Sequence, residues 1–373
     1  ETGWRIYWER FIDDRKTGFT SDSVYATDAR EGVYFRGSGD SLEILGTSHH
    51  YETMALSGFL SESIDFGSLN IRPGVRLELF EQERVDRMQG SIYQDKTIFV
   101  LLPGIAFSKS MAGMNLFGGI HRGFTPPSSG ALKILNFGEG LDDSGLDLDA
   151  EKSWNKELGV RGTMSLVEYE IAGFHIDIEN LVAAGRGTAF KNLGKVASQG
   201  LETRLGITLS EISSLLPNIH VAYTFLSTEV KDGAIISNVT GSVGSEISIN
   251  GKELPYSPNH TVTTGLEFTP ISNLKLRADF RFVSEAYTDF ENIKDTDENG
   301  VYGPIPEYSI FNISGSYLIS ENFKVFFSGK NITDEVYIGS RLHSNPGQPE
   351  ANISSGIIPG PRRQINVGIE YSF

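Results

Sequence analysis

Apolar and polar side chains alternate along most of this chain. The last segment is cleanest: Ile365, Val367, Ile369, Tyr371 and Phe373 interleave with Gln364, Asn366, Gly368, Glu370 and Ser372. A period of two places the first set on one face of a β-strand and the second on the other. The same rhythm sets Leu274, Leu276, Ala278, Phe280 and Phe282 against Lys275, Arg277, Asp279 and Arg281. It also sets Leu69, Ile71, Val75, Leu77 and Leu79 against Asn70, Arg72, Arg76 and Glu78, and Phe174, Ile176 and Ile178 against His175, Asp177 and Glu179. Charges are thereby expected to line one continuous surface and apolar groups the other.

Alternation and turn signals predict about fourteen strands. They lie near 3–13, 49–66, 68–86, 96–109, 113–123, 153–163, 166–182, 190–210, 218–231, 260–270, 273–288, 308–319, 322–338 and 362–373. Short connections fall near 65–68, 109–113, 162–166, 210–218, 269–273 and 320–322, and long ones at 14–49, 123–153, 231–259, 289–308 and 339–360. Unstructured loops beyond about 12–15 residues are uncommon in compact soluble domains. Here they recur between short turns, the asymmetry of outer-membrane barrels with short periplasmic turns and long extracellular loops. The predicted class is all-β, a transmembrane antiparallel up-and-down barrel with both chain ends on the periplasmic side.

The apolar face then turns to lipid. An Arg or Lys at mid-membrane costs roughly 2–4 kcal/mol, and a one-residue slip would move every charge of a strand outward. Against a total stability of about 5–15 kcal/mol, that fixes the register. A soluble β-sandwich would show the same alternation with the apolar face inward; the loop asymmetry and the mixed charges on the polar face favour the membrane.

Composition narrows the reading further. No apolar window of about 18 residues is present, which excludes a transmembrane helix and leaves a barrel open. The chain holds 41 Gly, 14 Tyr and 23 Phe and no Cys, suiting turns and aromatic girdles and arguing against a disulfide scaffold. A net charge of −16 without a basic stripe disfavours nucleic acid as a partner. No signal-peptide pattern, fixed-period repeat, low-complexity tract or interdomain linker is read, so residues 1–373 are taken as one barrel domain or part of one.

Several stretches carry a resemblance in family order. Arg72-Pro73-Gly74-Val75-Arg76-Leu77-Glu78, His121-Arg122-Gly123-Phe124-Thr125-Pro126-Pro127 and the run from Glu151 to Gly162 come first, with Ala150 where Pro is usual. Asn192-Leu193-Gly194-Lys195 with Gly200-Leu201-Glu202, the run from Leu254 to His260, Gly329-Lys330-Asn331-Ile332-Thr333-Asp334-Glu335-Val336-Tyr337 and Pro359-Gly360-Pro361-Arg362-Arg363 complete the set. Together they resemble the C-terminal half of the TonB-dependent receptors, plugged outer-membrane transporters of about 22 strands. Most of these residues have structural reasons: Asn331 and Asp334 can bond their own backbone where a strand gives way to a loop, and the glycines tolerate bulges.

The resemblance implies the barrel part of a receptor in the bacterial outer membrane that imports a ferric chelate, a siderophore or ferric citrate, captured by extracellular loops. Neither the plug domain nor the TonB-binding box of such receptors is matched, so TonB would act through a plug missing from these residues, and another chain is a candidate source of the remaining strands. No catalytic constellation is found and no cofactor is required. For an anionic chelate, Arg forks or His would be needed; His121, Arg122, Arg186, Arg341 and His343 lie on or beside long loops. Asp295, Asp297 and Asn299 resemble the start of a calcium loop, although Pro306 stands where the acidic twelfth ligand belongs. The rival reading is a complete fourteen-stranded passive pore or lipid channel, in which the first strand would pair with the last.

Overall fold

The computed structural model describes residues 1–16, 18–20, 33–35, 45–86, 91–127, 135–137, 140–142, 148–183, 191–237, 245–297, 300–341 and 356–373. Fourteen long antiparallel strands follow one another through one sheet in chain order. They are β1 (Thr2–Lys16), β2 (Leu45–Ser61), β3 (Leu69–Asp86), β4 (Ser91–Met111), β5 (Met114–Thr125), β6 (Glu151–Met164) and β7 (Val167–Glu179). Then come β8 (Lys195–Ile207), β9 (Asn218–Asp232), β10 (His260–Ile271), β11 (Leu274–Val283), β12 (Tyr308–Ser320), β13 (Phe323–Lys330) and β14 (Gln364–Tyr371). A short strand, Ile64–Phe66, joins only β3. Among the described residues β1 and β14 do not pair, so the sheet has two open edges and lacks the bond that a self-closed fourteen-stranded pore requires.

Connections alternate as the sequence predicts. Ala112-Gly113, Ser165-Leu166, Ser272-Asn273 and Glu321-Asn322 are tight turns at one end. At the other end the loops carry ribbons of their own, among them Ala234–Ile236 with Glu246–Ser248 and Ile338–Arg341 with Ile357–Pro359. The connection 87–90 is brief because β3 and β4 run on as a tall hairpin, with β4 starting at Ser91 rather than near 96.

Several predicted strands prove shorter, for a backbone reason. Asn180 (φ 58°) follows β7, Gly194 (φ 110°) precedes β8 and Asn331 (φ 47°) follows β13. Those left-handed conformations suit Asn and Gly and end a strand, so 166–182, 190–210 and 322–338 contract to the bounds of β7, β8 and β13. The segment predicted at 49–66 divides into β2 and Ile64–Phe66, and that at 273–288 ends at Val283.

Register joins the apolar positions into a single face. Leu56 pairs with Leu79 and Leu79 with Phe99; Ile105 pairs with Ile120; Leu116 pairs with Val160 and Val160 with Ile171. The row continues through Leu201 with Phe225, Phe280 with Phe311, Phe327 with Val367 and Val325 with Ile369. These side chains stay open to the surroundings, with Leu158 57% and Ile369 68% exposed. The opposite face is polar and cross-linked strand to strand. Arg277 bonds Glu267 on β10 at 2.6 Å, Lys324 pairs with Glu370 on β14, and Arg76 donates to Ser57 on β2 at 3.1 Å.

The polar face is the concave one. Tyr51 on β2, Leu148, and Val182 just beyond β7 pack in one cluster. Five strand spacings would hold β2 and β7 about 24 Å apart in a flat sheet, so the sheet curls toward its charged side. Buried strand residues sit mostly on that side, including Ser57, Glu78, Phe80, Gln82, Arg84, Val100, Val196 and Val230.

One face assignment is overturned. Ile171 and Gly173 lie on the apolar face, paired with Val160 and Leu158, so His175 and Asp177 follow them there and Phe174, Ile176 and Ile178 face the concave side. The strand outruns the apolar band. Near the loops its outer surface carries polar groups, Lys156 on Asp177 at 2.8 Å and His175 on Asp177 at 2.9 Å. Its inner surface instead meets folded loop: Ile178 packs against the buried cluster of Leu193, Val196, Val230, Ile235 and Ile249.

Candidate functional site

On the concave face of β3 to β6, two adjacent rows of residues are short of side chains. One reads Arg72, Ala106, Gly119, Glu157 across the strands, and the next Gly74, Gly104, His121, Asn155. The outcome is a recess of about 600 Å³ whose rim carries Arg72, Arg76, His121 and Glu157. Glycine is needed on its floor. A Cβ on Gly104 would come within 2.9 Å of the His121 Cβ, and one on Gly119 within 2.9 Å of the Ile105 carbonyl oxygen.

The two arginines differ. Arg76 is held by Glu78 through its Nε and by Ser57 through Nη2 at 3.1 Å. Among the described residues, neither Arg72 nor His121 has an ion-pair or hydrogen-bond partner. A guanidinium and an imidazole that face an open recess on a rigid wall are suited to carboxylate or other oxyanion groups, since charge-assisted hydrogen bonds to such groups are short and strong.

The residues singled out in the sequence separate in space. His121 and Arg122 both border the recess, but only the His121 side chain lies on the concave face; that of Arg122, next in the strand, leaves on the other, with its guanidinium 5.7 Å from the Trp154 ring centre and 4.0 Å from Glu179. Arg341 is buried at the loop end. Its Nε and Nη2 donate to the Pro304 carbonyl (3.2 and 2.8 Å) and Nη1 donates to the Gly300 carbonyl, while the Tyr256 hydroxyl donates to the Arg341 carbonyl at 3.0 Å. It ties together three long loops. Arg186 and His343 lie outside the described residues.

Asp297 spends its carboxylate on the turn: Oδ1 accepts the Tyr302 N–H at 2.7 Å and its carbonyl accepts the Gly300 N–H at 3.1 Å. Asp295 is exposed nearby, and Asn299 lies outside the described residues. Among the described residues no group of three His, Asp or Glu side chains is arranged to hold a metal.

The closing motif is architectural. Asn331 is buried; its amide donates to the carbonyls of Glu335 (2.9 Å) and Pro361 (3.0 Å), and its Oδ1 accepts the Glu335 N–H at 2.9 Å. Asp334 accepts from Arg362 Nε at 2.9 Å and from the Arg363 N–H at 3.0 Å, and the Arg362 guanidinium holds its carboxyl well below the usual carboxylate range. Gly360 lies against Tyr337, where a Cβ would fall 2.0 Å from the ring. Burial pushes the Tyr337 phenol up, with Tyr308 stacked on it at 4.5 Å adding to the effect.

Arg72 was legible in the sequence only as part of a strand motif. What marks it as a site residue is that Gly74 and Gly104 pair and Gly119 falls in the adjacent row, a clustering that exists only once the register is known.

Comparisons with known proteins agree with this architecture. A family profile described as "TonB dependent receptor-like, beta-barrel" matches residues 3–332. Among solved structures, the ferric citrate transporter FecA in its unliganded form is 22% identical with a TM-score of 0.75, covering 99% of this chain and 50% of that one. The siderophore receptor PiuA from Acinetobacter baumannii is 14% identical with a TM-score of 0.71, covering 99% and 53%. The ferric-catecholate import receptor Fiu from E. coli K12 is 15% identical with a TM-score of 0.69, covering 100% and 52%. This chain therefore spans about half the length of the structures it resembles.

Proposed function

The chain belongs to the TonB-dependent receptor β-barrel family, and from that footing we propose that it forms barrel wall in an outer-membrane importer of a ferric chelate of the siderophore or ferric citrate class. The observation that carries the reading is the concave recess with Arg72 and His121 on its rim, with loop segments that are packed and pinned among the described residues. Long loops give the chelate its first contacts, and the recess offers its carboxylates or other oxygens a second station on the way through the lumen. A plug outside these residues gates the passage and passes force from TonB. The open edges of β1 and β14 take the remaining strands, from the same chain or an adjoining one.

The test is equilibrium binding and radio-iron uptake with ferric citrate and with a ferric catecholate. Hydrogen bonds to charged groups contribute about 1.5–3 kcal/mol, so Arg72→Ala and His121→Ala each weaken the cognate chelate by roughly 10- to 100-fold. Unchanged affinity and uptake for both chelates in the double variant would refute the recess as a ligand station. The passive-pore reading predicts steady conductance in planar bilayers with no need of TonB; the unpaired β1 and β14 edges weigh against it.

A further inference from the structure

Four connections at the short-turn end are two-residue turns, but 208–217 is longer and unusually apolar. It carries Ile212 and Leu215 at 64% and 68% exposure, with Leu216 also exposed, beside Ser210, Glu211, Ser213 and Ser214. The segment is internally ordered. Leu209–Glu211 form a 3-10 turn, the Ile212 N–H donates to the Leu209 carbonyl at 3.0 Å, the Leu216 N–H to the Ser213 carbonyl at 2.9 Å, and the Ser210 N–H to Asn218 Oδ1 at 3.0 Å.

This segment meets the face of the sheet. Its Leu215 and Pro217 line a groove of about 490 Å³ together with Leu266, Leu276, Ile313 and Phe327 on β10 to β13. By register all four lie on the apolar face. The backbone groups of those strands are already committed to the ladder, so the groove has almost nothing to offer a polar occupant. It is continuous with the outward apolar band.

Resting on the membrane reading above, we propose that the turn 208–217 is a lipid clasp. Ile212, Leu215 and Leu216 insert into the leaflet on the short-turn side, and the groove holds one acyl chain of a phospholipid, with Ser210, Glu211 and Ser213 at the headgroup level. Hydrocarbon is the occupant because it asks for no hydrogen bond and because the surrounding band already faces lipid. An apolar segment with a polar flank lying in the interface plane is the usual geometry of surface anchoring.

The absence of Cys gives a clean experiment. Single variants Leu215→Cys, Leu158→Cys and Ala112→Cys are spin-labelled in the membrane-assembled protein, reconstituted in phosphatidylethanolamine/phosphatidylglycerol vesicles. Collisions with oxygen and with a water-soluble nickel chelate are then compared. The clasp predicts that position 215 resembles 158, open to oxygen and closed to nickel, while 112 is open to nickel. A label at 215 as nickel-accessible as at 112, or shielded from both reagents as by a protein partner, would overturn it. If 158 is also nickel-accessible, the membrane orientation itself fails, a different outcome. After detergent exchange, native mass spectrometry should find a retained phospholipid that Leu215→Asp diminishes at least about fivefold; equal retention would also sink the proposal.

Discussion

Leu158 gives the sharpest test of the face assignment, because it stands on the outward band between Gly118 and Gly173, with glycine on both neighbouring strands. At 57% exposure it contributes little to packing within the sheet, so a cost of replacement reflects what surrounds the protein. Arg at such a position, if it faces mid-bilayer lipid, costs about 2–4 kcal/mol, a shift of roughly 30- to 1,000-fold in the folding equilibrium. Its chain neighbour Glu157 points to the concave side, where Glu157→Arg should cost no more than about 1 kcal/mol. His175 shares the outward face of Leu158 but lies among polar groups toward the loops, and His175→Arg should also cost less than about 1 kcal/mol, since the penalty falls near the interface. The assay is reversible denaturant unfolding in lipid vesicles, read by tryptophan fluorescence. Equal costs for Leu158→Arg and Glu157→Arg would refute the orientation of the sheet, and a full cost for His175→Arg would refute the limit placed on the apolar band.

Asn331→Ala leaves two carbonyls and one N–H without their side-chain partner and places Ala at a φ of 47°, so we expect a loss of about 2–4 kcal/mol, checked by the same unfolding measurement. For Asp334, the folded carboxyl titrates below its ordinary value of 3.8, so its contribution is complete above that value and is lost only as pH falls through the lower, folded one. Hydrogen exchange at the Arg363 amide, which donates to Asp334, should therefore stay protected down to about pH 4 after correction for intrinsic rates, and Asp334→Asn should remove the pH dependence. Gly119→Val, which drives a side chain into a strand contact and the recess floor, should lower chelate uptake more than it lowers barrel yield; the reverse order would argue against a ligand station there. Arg341→Lys should loosen the loops, measured as faster proteolysis near 300–304, because a single ammonium cannot reproduce a guanidinium that donates to both the Gly300 and Pro304 carbonyls.

The alternation of the last strand and of β3 and β11 was readable directly, since a period of two needs no knowledge of neighbours, and so were the short turns. The role of Asn331 was also legible, because a polar side chain able to bond its own local backbone marks a strand end wherever it occurs; Asp334 instead bonds Arg362 and Arg363 at the start of the next strand, which only the folded chain brings near. Three matters were decided only by the folded sheet. In β7 the pattern of Phe174, Ile176 and Ile178 had the right period and the wrong side, because identical alternation arises wherever one face is covered, and high on this strand the covered face is the concave one, under packed loops. His121 and Arg122 are adjacent in sequence with side chains on opposite faces of the sheet, while Arg72 and His121 are distant in sequence and share a recess. That recess exists because glycines from different strands fall into two adjacent rows, a property of hydrogen-bond register across the sheet and not of any one strand.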